Sequence, residues 1–230
     1  MIYAMADLYG DYTRFTEMLD RIHFGEQDTL YLLGNLTAGE DGVKLLLDLS
    51  ARPNVFPLIG DLEYTALPLL RKLCGDLADG AANMDADTLR AFALWGQRGG
   101  QEFVRAFRAL SEEDRAWLIE YLEEFSPYEE VEAGGKDFLL VHAGLDNFSR
   151  TRDLDDYSLD EMLFTKPDFE KVYFDDKILV TGHTPTVDIH PDCKGRIFSL
   201  NHHIALNTGA QFGLPLGCIR LDDLKEFYVE

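Results

Sequence analysis

Five side chains able to bind a metal ion or move a proton stand where short apolar runs end. Asp7 follows Met1–Ala6, Asn35 follows Thr29–Leu33, Asp61 follows Val55–Ile59, His142 closes Phe138–His142 and His183 follows Ile178–Thr181. Taken singly, an Asp at such a place is often a helix cap and a His a satisfied structural residue. Their recurrence along one chain carries the information. Carboxylate, amide and imidazole ligands together suit divalent ions such as Mn²⁺, Fe or Zn²⁺. Two such ions a few ångströms apart activate water and clamp a phosphoryl oxygen. Asp11, four residues beyond Asp7, joins Asp7 as a candidate base.

These residues need elements that bring them together. The apolar stretch over 1–6 reads as a buried strand, and Tyr12, Phe15, Leu19 and Ile22 give one face of a following helix. A second strand, a helix marked by Val43, Leu46, Leu47 and Leu49, and a third strand over 55–59 continue a β-α-β-α-β order. That order implies a parallel sheet with right-handed crossovers. In such sheets ligands bind at the carboxyl ends of the strands, where these side chains fall. Residues 63–126 read as helical: Glu63–Leu73 stopping near Gly75, Asp85–Trp95 stopping at Gly96, a face of Phe103, Val104, Phe107 and Leu110, and a helix capped by Ser111 and carrying Trp117, Leu118, Tyr121 and Leu122. This block is expected to be a cap beside the site within one domain spanning 1–230. From Tyr128 the pattern turns to strands. A hairpin surrounds Gly134-Gly135, and antiparallel strands over 197–200, 204–207, 217–221 and 226–229 are expected to add a second sheet.

Bulk properties narrow the function. A formal charge of −21 and a pI near 4.5 exclude a basic nucleic-acid surface and docking on anionic membranes. An anionic substrate would be repelled unless a metal or local cations offset that field. With 46% hydrophobic residues the chain can bury a full core. Cys74, Cys193 and Cys218 are scattered and lack metal-ligand spacing, as in a reducing cytoplasm. The N-terminal apolar run is too short for a membrane span and has no basic flank. Asn201-His202-His203 is expected at the surface, since adjacent strand residues point to opposite faces.

The ordered stretches resemble the motifs of the calcineurin-like metallophosphoesterases, in the branch of bacterial serine/threonine protein phosphatases and dinucleoside polyphosphate hydrolases. The matching segments are Asp7-Leu8-Tyr9-Gly10, Gly34-Asn35-Leu36-Thr37-Ala38-Gly39, Gly60-Asp61-Leu62-Glu63, His142-Ala143-Gly144, Gly182-His183-Thr184-Pro185 and Asn207-Thr208-Gly209-Ala210. Trp95 with Arg98-Gly99-Gly100, and Leu163-Phe164-Thr165-Lys166, resemble two further segments of the branch. The resemblance implies an α/β two-sheet sandwich in α-β-β-α layers with a helical cap. It also implies a dimetal phosphoesterase site and a phosphorylated small molecule or phosphoprotein as ligand.

The departures from that pattern define what is expected of this chain. Tyr9 stands where the family has a metal-binding His, and Asn35 where it has the Asp that bridges both ions. A neutral amide offsets little of the repulsion between two dications. The first metal site, left with Asp7, is therefore expected to be lost. Asp61 stands at the family's metal-binding Asn, so Asp61, His142 and His183, with Asn35, form a plausible mononuclear site for Mn, Fe or Zn. Leu62 replaces the His that protonates the leaving group. Ala38 and Gly39 replace an Asp and the phosphate-gripping Arg, and Asn207 a family Asp. Lys166 replaces a second Arg, keeping charge without the bidentate fork. Arg98 and Lys166 remain as substrate-binding candidates. Three readings follow. One is a degenerate metallophosphoesterase with weak or no turnover that binds a phosphorylated ligand or partner. The second is an active phosphoesterase with a rearranged one-metal site and Asp7 or Asp11 as base. The third is a non-catalytic interaction module whose acidity marks a basic partner.

Overall fold

In the computed structural model, residues 1–74 and 85–230 are described. The first strand, β1 (Ile2–Met5), pairs in parallel with β2 (Thr29–Leu33), which pairs in parallel with β3 (Val55–Leu58). Helices α1 (Tyr12–Ile22) and α2 (Gly42–Ser50) make the crossovers, as the alternation of apolar runs and helical faces predicts. The sheet is completed by β9 (Leu216–Arg220) and β10 (Lys225–Val229), in the order β10-β9-β1-β2-β3. Here the expected topology is corrected: the last two strands join the first sheet, β9 antiparallel to β1, with Tyr3 opposite Arg220 and Met5 opposite Cys218, and β10 antiparallel to β9 at the edge.

The second sheet runs β4-β5-β6-β8-β7, from β4 (Tyr128–Ala133), β5 (Lys136–Val141), β6 (Lys177–Thr181), β7 (Phe198–Leu200) and β8 (His203–Ala205). Its centre is parallel, β5 with β6 and β6 with β8, while the β4-β5 and β7-β8 pairs are antiparallel. The inner faces of the two sheets share a core. Ala4, Ala6, Leu33, Leu58 and Ile219 of the first meet Phe138, Leu140, Val180 and Ile204 of the second. Alternation puts Tyr3 and Met5 on the outer face of β1, against Phe15 and Met18 of α1. The outer face of the second sheet is covered by Leu145, Tyr157, Met162 and Tyr173, packed on Leu139, Val141 and Leu179. The result is the expected α-β-β-α layering.

Between β3 and β4 lie α3 (Asp61–Cys74), α4 (Ala86–Trp95), α5 (Gln101–Arg108) and α6 (Glu112–Glu123). The expected stop of the first of these near Gly75 falls outside the described residues. Helix α4 ends at Trp95 with Gly96 as its C-cap, as expected, and a kinked turn over Gly96–Gly100, in which Arg98 and Gly99 leave helical geometry, leads into α5. Gly99, at φ +95, takes the left-handed conformation this turn needs. Phe103, Val104 and Phe107 are buried as expected, whereas Leu47 and Trp117 stay exposed, the latter stacked on Tyr121. Among the described residues no helix is long and apolar enough to cross a membrane.

The parallel strands of both sheets end at the same edge of the sandwich. His142, just past β5, reaches the carbonyl of Leu33 at the end of β2. The Asp7 carboxylate, just past β1, accepts from the backbone N–H of His183, just past β6.

Candidate functional site

Asp61, at the first position of α3, His142 and His183 bring three ligand atoms within 4.8 Å of one another. His142 Nε2 lies 3.1 Å from Asp61 Oδ1 and 3.2 Å from His183 Nδ1, and His183 Nδ1 lies 3.3 Å from the same oxygen. An ion ~2.1 Å from each of three donors, tetrahedral or octahedral, keeps those donors roughly 3.0–3.4 Å apart. The three atoms therefore fit a divalent ion without rearrangement. The second nitrogen of His142, Nδ1, stands 2.7 Å from the Leu33 carbonyl oxygen. That contact places a proton on Nδ1 and turns Nε2 to the cluster, where it bonds Asp61 when protonated and would offer a lone pair to an ion when not, the orientation metal-ligating histidines use. His142 is fully buried and His183 half-buried.

The charges in this cluster are mutually stabilised. Burial alone would raise the pKa of Asp61, but hydrogen bonds to His142 and His183, followed by the His142 and Arg98 interactions, hold it well below the usual carboxylate range. Burial would likewise lower the pKa of His142, yet the Asp61 hydrogen bond and the charges of Asp7 and Asp61 raise it.

Beside the cluster, Asp7 is buried and engaged on both oxygens. Asn35 Nδ2 donates to Oδ1 at 2.8 Å and the His183 backbone N–H to Oδ2 at 2.8 Å. Burial raises its pKa, against the opposing pull of both imidazoles. Asn35 Oδ1 accepts from the backbone N–H of Leu62 at 3.1 Å. Tyr9 turns its hydroxyl to Arg98 Nη2 at 2.9 Å, with Asn35 Nδ2 a longer 3.4 Å away. Burial, then the Asp7 charge, pushes the Tyr9 hydroxyl pKa up, so it remains protonated. Arg98 forms an ion pair with Asp61 through Nη1 and Oδ2.

The remaining expected residues are placed as follows. Asp11 caps α1, accepting from the Arg14 backbone N–H at 2.9 Å, and pairs with the Arg14 side chain at 2.5 Å. Its carboxylate is thus committed to local structure. Leu62 is buried in the core of the first sheet. Ala38 is buried and Gly39 lines an adjacent cavity of about 550 Å³ with Tyr9, Asp11, Arg14, Arg98 and Phe212. Asn207 donates to the His183 carbonyl at 2.8 Å and accepts from the Gly209 N–H at 3.1 Å, which fixes the His183 loop. Lys166 is exposed, and among the described residues no hydrogen bond, ion pair or ring contact joins it to the cluster.

Sequence reasoning gave no role to Glu63, the fourth residue of the Gly60-Asp61-Leu62-Glu63 stretch. It is fully buried. Its Oε1 accepts from the N–H groups of Leu36 and Thr37 and the Thr37 hydroxyl, and its Oε2 from the N–H groups of Asn35 and Gly60. One carboxylate therefore locks the Asn35 loop to the Asp61 loop. Its only sequence signal was its place in a motif. His203 is also corrected: it is buried, not at the surface, with Nε2 on the Thr181 hydroxyl at 2.9 Å and its ring stacked on Phe169. His202 is exposed as expected.

The backbone around the cluster is strained. Asp7, Tyr9, Asn35 and His183 all sit at positive φ, between 48° and 60°. Asp, Asn and His tolerate this region, whereas a Tyr there is uncommon. Such strain concentrates at functional sites.

The profile of the calcineurin-like phosphoesterases matches residues 1–207. The chain belongs to the calcineurin-like phosphoesterase family. Members of that family act on phosphoesters with divalent metals, consistent with the cluster of Asp61, His142 and His183. No curated protein matches the chain by sequence. Among solved structures, one described as a candidate diadenosine tetraphosphatase is similar with a TM-score of 0.65 and 17% identity, over 99% of this chain and 92% of that one. A metallophosphoesterase from Sphaerobacter thermophilus is similar with a TM-score of 0.55 and 13% identity, over 100% and 87% of the two chains. At these identities the likeness supports the shared fold, which is the two-sheet sandwich described above.

Proposed function

We infer that this phosphoesterase-family chain has a degenerate, one-metal site that binds a phosphorylated small molecule or phosphoprotein and hydrolyses it weakly or not at all. The contact that carries this reading is the Asn35 amide N–H donated to Asp7 Oδ1 at 2.8 Å. An N–H held against a carboxylate oxygen stands where a first ion would need that oxygen, and its partner position lacks the charge to bridge two ions. The fit of Asp61, His142 and His183 to one ion supports retention of the second site. A divalent ion bound there would supply Lewis acidity toward a phosphoryl oxygen and acidify a bound water. Asp61 and His142 would hold it from buried positions, and Asn207 would fix the loop that carries His183.

The accessory chemistry is reduced. Leu62 cannot protonate a leaving group, and a positioned acid typically contributes on the order of 10²–10⁴ in rate. Gly39 removes a cation from the phosphate side, and a preorganised charge donor carries about 10²–10³. Asp11 is committed to Arg14, which leaves Asp7 as the remaining candidate base. The likeness to a candidate diadenosine tetraphosphatase supports placement in the protein phosphatase and dinucleoside polyphosphate hydrolase branch. We take the helices between 63 and 126 as a cap on one domain spanning 1–230. Free Cys74, Cys193 and Cys218 support a cytoplasmic setting. A second reading, an active one-metal phosphoesterase, is favoured by the preformed 3.1–3.3 Å triangle of ligand atoms.

Metal analysis and p-nitrophenyl phosphate hydrolysis decide between them. After chelator treatment and reloading with Mn²⁺, one ion per chain is expected. The joint substitution Tyr9→His, Asn35→Asp, Asp61→Asn and Leu62→His is expected to gain at least ~100-fold in kcat, the scale of one restored acid. Robust wild-type turnover, abolished by His142→Ala, would overturn the degenerate reading in favour of the second.

A further inference from the structure

The Asp61 carboxylate is shared between two kinds of partner. Its Oδ1 faces the two imidazoles, and its Oδ2 takes the Arg98 guanidinium. Arg98 Nη2 also donates to the Tyr9 hydroxyl at 2.9 Å. Guanidinium therefore lies on the Tyr9 side of Asp61, the side from which the family resemblance removes an ion.

Arg98 is brought there by the kinked turn between α4 and α5. The Gly39 N–H donates to the Gly99 carbonyl at 2.9 Å. A side chain at Gly99 would place its Cβ 2.8 Å from the Gly39 nitrogen, so the two loops meet backbone to backbone. At Gly39, where the resemblance expects a phosphate-gripping Arg, the neighbouring turn closes over the gap and its preceding residue is an Arg. The Arg98 side chain is 37% exposed and lines the cavity with Tyr9, Gly39 and Gln97. A guanidinium has five N–H donors. The contacts to Asp61 and Tyr9 occupy at most three of them, which leaves two for a ligand.

Charge decides what such a ligand can be. With Asp7 and Asp61 both counted as carboxylates, the centre where they meet Arg98 carries a formal −1, and Asp11 and Arg14 cancel as a pair beside it. One dication at Asp61, His142 and His183 turns that into +1. Without Arg98 the same ion would only neutralise the centre. An arginine stays charged at any working pH, so its contribution is permanent.

We propose that Arg98 supplies the second positive charge of this centre, so that one divalent ion and one guanidinium, flanking Asp61, together hold a phosphate or similar tetrahedral oxyanion between the cluster and the cavity that Arg98 lines. This rests on the one-metal reading above and adds to it the group that grips the anion. Arginine suits that task because its fork matches two oxygens of a phosphate at once.

Calorimetric titration of the purified full chain tests it, first with Mn²⁺ alone and then with inorganic phosphate added to the loaded protein. Wild type is expected to bind one Mn²⁺ and then phosphate. Arg98→Ala is expected to bind Mn²⁺ at least as tightly, since a neighbouring cation is gone, and phosphate about 10- to 100-fold more weakly. Arg98→Lys should recover part of the phosphate affinity, because it keeps the charge and loses the fork. Should the Ala variant fail to fold, Arg98→Gln carries the same expectation. Phosphate affinity within twofold of wild type in a loaded Ala or Gln variant overturns the role of Arg98 and leaves the one-metal reading standing. Binding of no Mn²⁺, or of two per wild-type chain, overturns the one-metal reading and this inference with it.

Discussion

Glu63→Gln is nearly isosteric, yet it should be among the most destabilising single substitutions in the chain. The carboxylate accepts five hydrogen bonds, three on Oε1 and two on Oε2, at 2.7–2.9 Å with no exposure to water. A glutamine has one carbonyl oxygen. If that oxygen faces Leu36 and Thr37, its amide NH₂ confronts the N–H groups of Asn35 and Gly60. In the other orientation it confronts those of Leu36 and Thr37. Either way two backbone donors lose a charged acceptor and remain buried. Hydrogen bonds to charged groups contribute about 1.5–3 kcal/mol each, so the loss is at least ~3 kcal/mol. That is a large part of a total stability of about 5–15 kcal/mol. For a chain of this size it lowers Tm by about 6–12 °C. Urea unfolding followed by circular dichroism reads the loss as a lower midpoint at constant m-value. A Gln variant within ~1 kcal/mol of wild type would refute the claim that this carboxylate locks the two loops.

Two further predictions concern neighbouring groups. Asn35→Asp sets a second carboxylate against Asp7 Oδ1, where the amide now donates at 2.8 Å. In chelator it should cost several kcal/mol as an uncompensated buried charge, about 3–5 by analogy with broken buried pairs. Excess Mn²⁺ should restore its Tm and bring a second bound ion; a Tm indifferent to Mn²⁺ would refute this. Burial lowers the pKa of His203 to about 3, while an unfolded histidine titrates near 6.5. Below about pH 6.5 the unfolded chain therefore binds a proton that the folded chain refuses, and stability falls as pH drops toward 3. Between pH 7 and 5 wild type should lose about 2 kcal/mol more than His203→Phe. Parallel stability profiles of the two proteins would show that His203 is not held neutral.

The parts of the fold legible in the sequence were those set by local pattern. Apolar runs ending in polar residues located β1, β2, β3, β5 and β6, because parallel strands buried on both faces read as continuous apolar stretches. The five chemistry-bearing side chains fell at the ends of those strands, and the structure brings Asp61, His142 and His183 together there. Partner choice among later strands was not legible. β9 pairs with β1 across more than two hundred residues, Tyr3 opposite Arg220, and no local signal distinguishes that from pairing within the second sheet. His203 was misplaced for a related reason: β8 lies between β6 and β7, and its outward-pointing residue is covered by Phe169 and Tyr173 from a distant loop. Arg98 was legible as a cation in a motif, but its ion pair was not. The helical pattern breaks at Gly96, and a kink in which Arg98 and Gly99 leave helical geometry has no sequence period by which to place its side chains.

Asp7, Tyr9, Asn35 and His183 sit at positive φ around the cluster, a conformation that costs on the order of 1–3 kcal/mol per residue. Strain of that size persists only where surrounding contacts over-determine it. Here the contacts are specific: Glu63 holds the Asn35 N–H, Asp7 holds the His183 N–H, and Asn207 holds the His183 carbonyl. None of the three requires an ion to be made. The loops are therefore held in a ligand-ready geometry by the protein alone, and an ion entering Asp61, His142 and His183 meets donors already placed. The chemistry available then depends on which side chains those loops carry. On the reading proposed above, Leu62 and Gly39 withhold an acid and a cation, while Arg98 returns a cation from a different element. That reading makes function turn on a few side chains carried by these loops, so the four-residue restoration tests it directly.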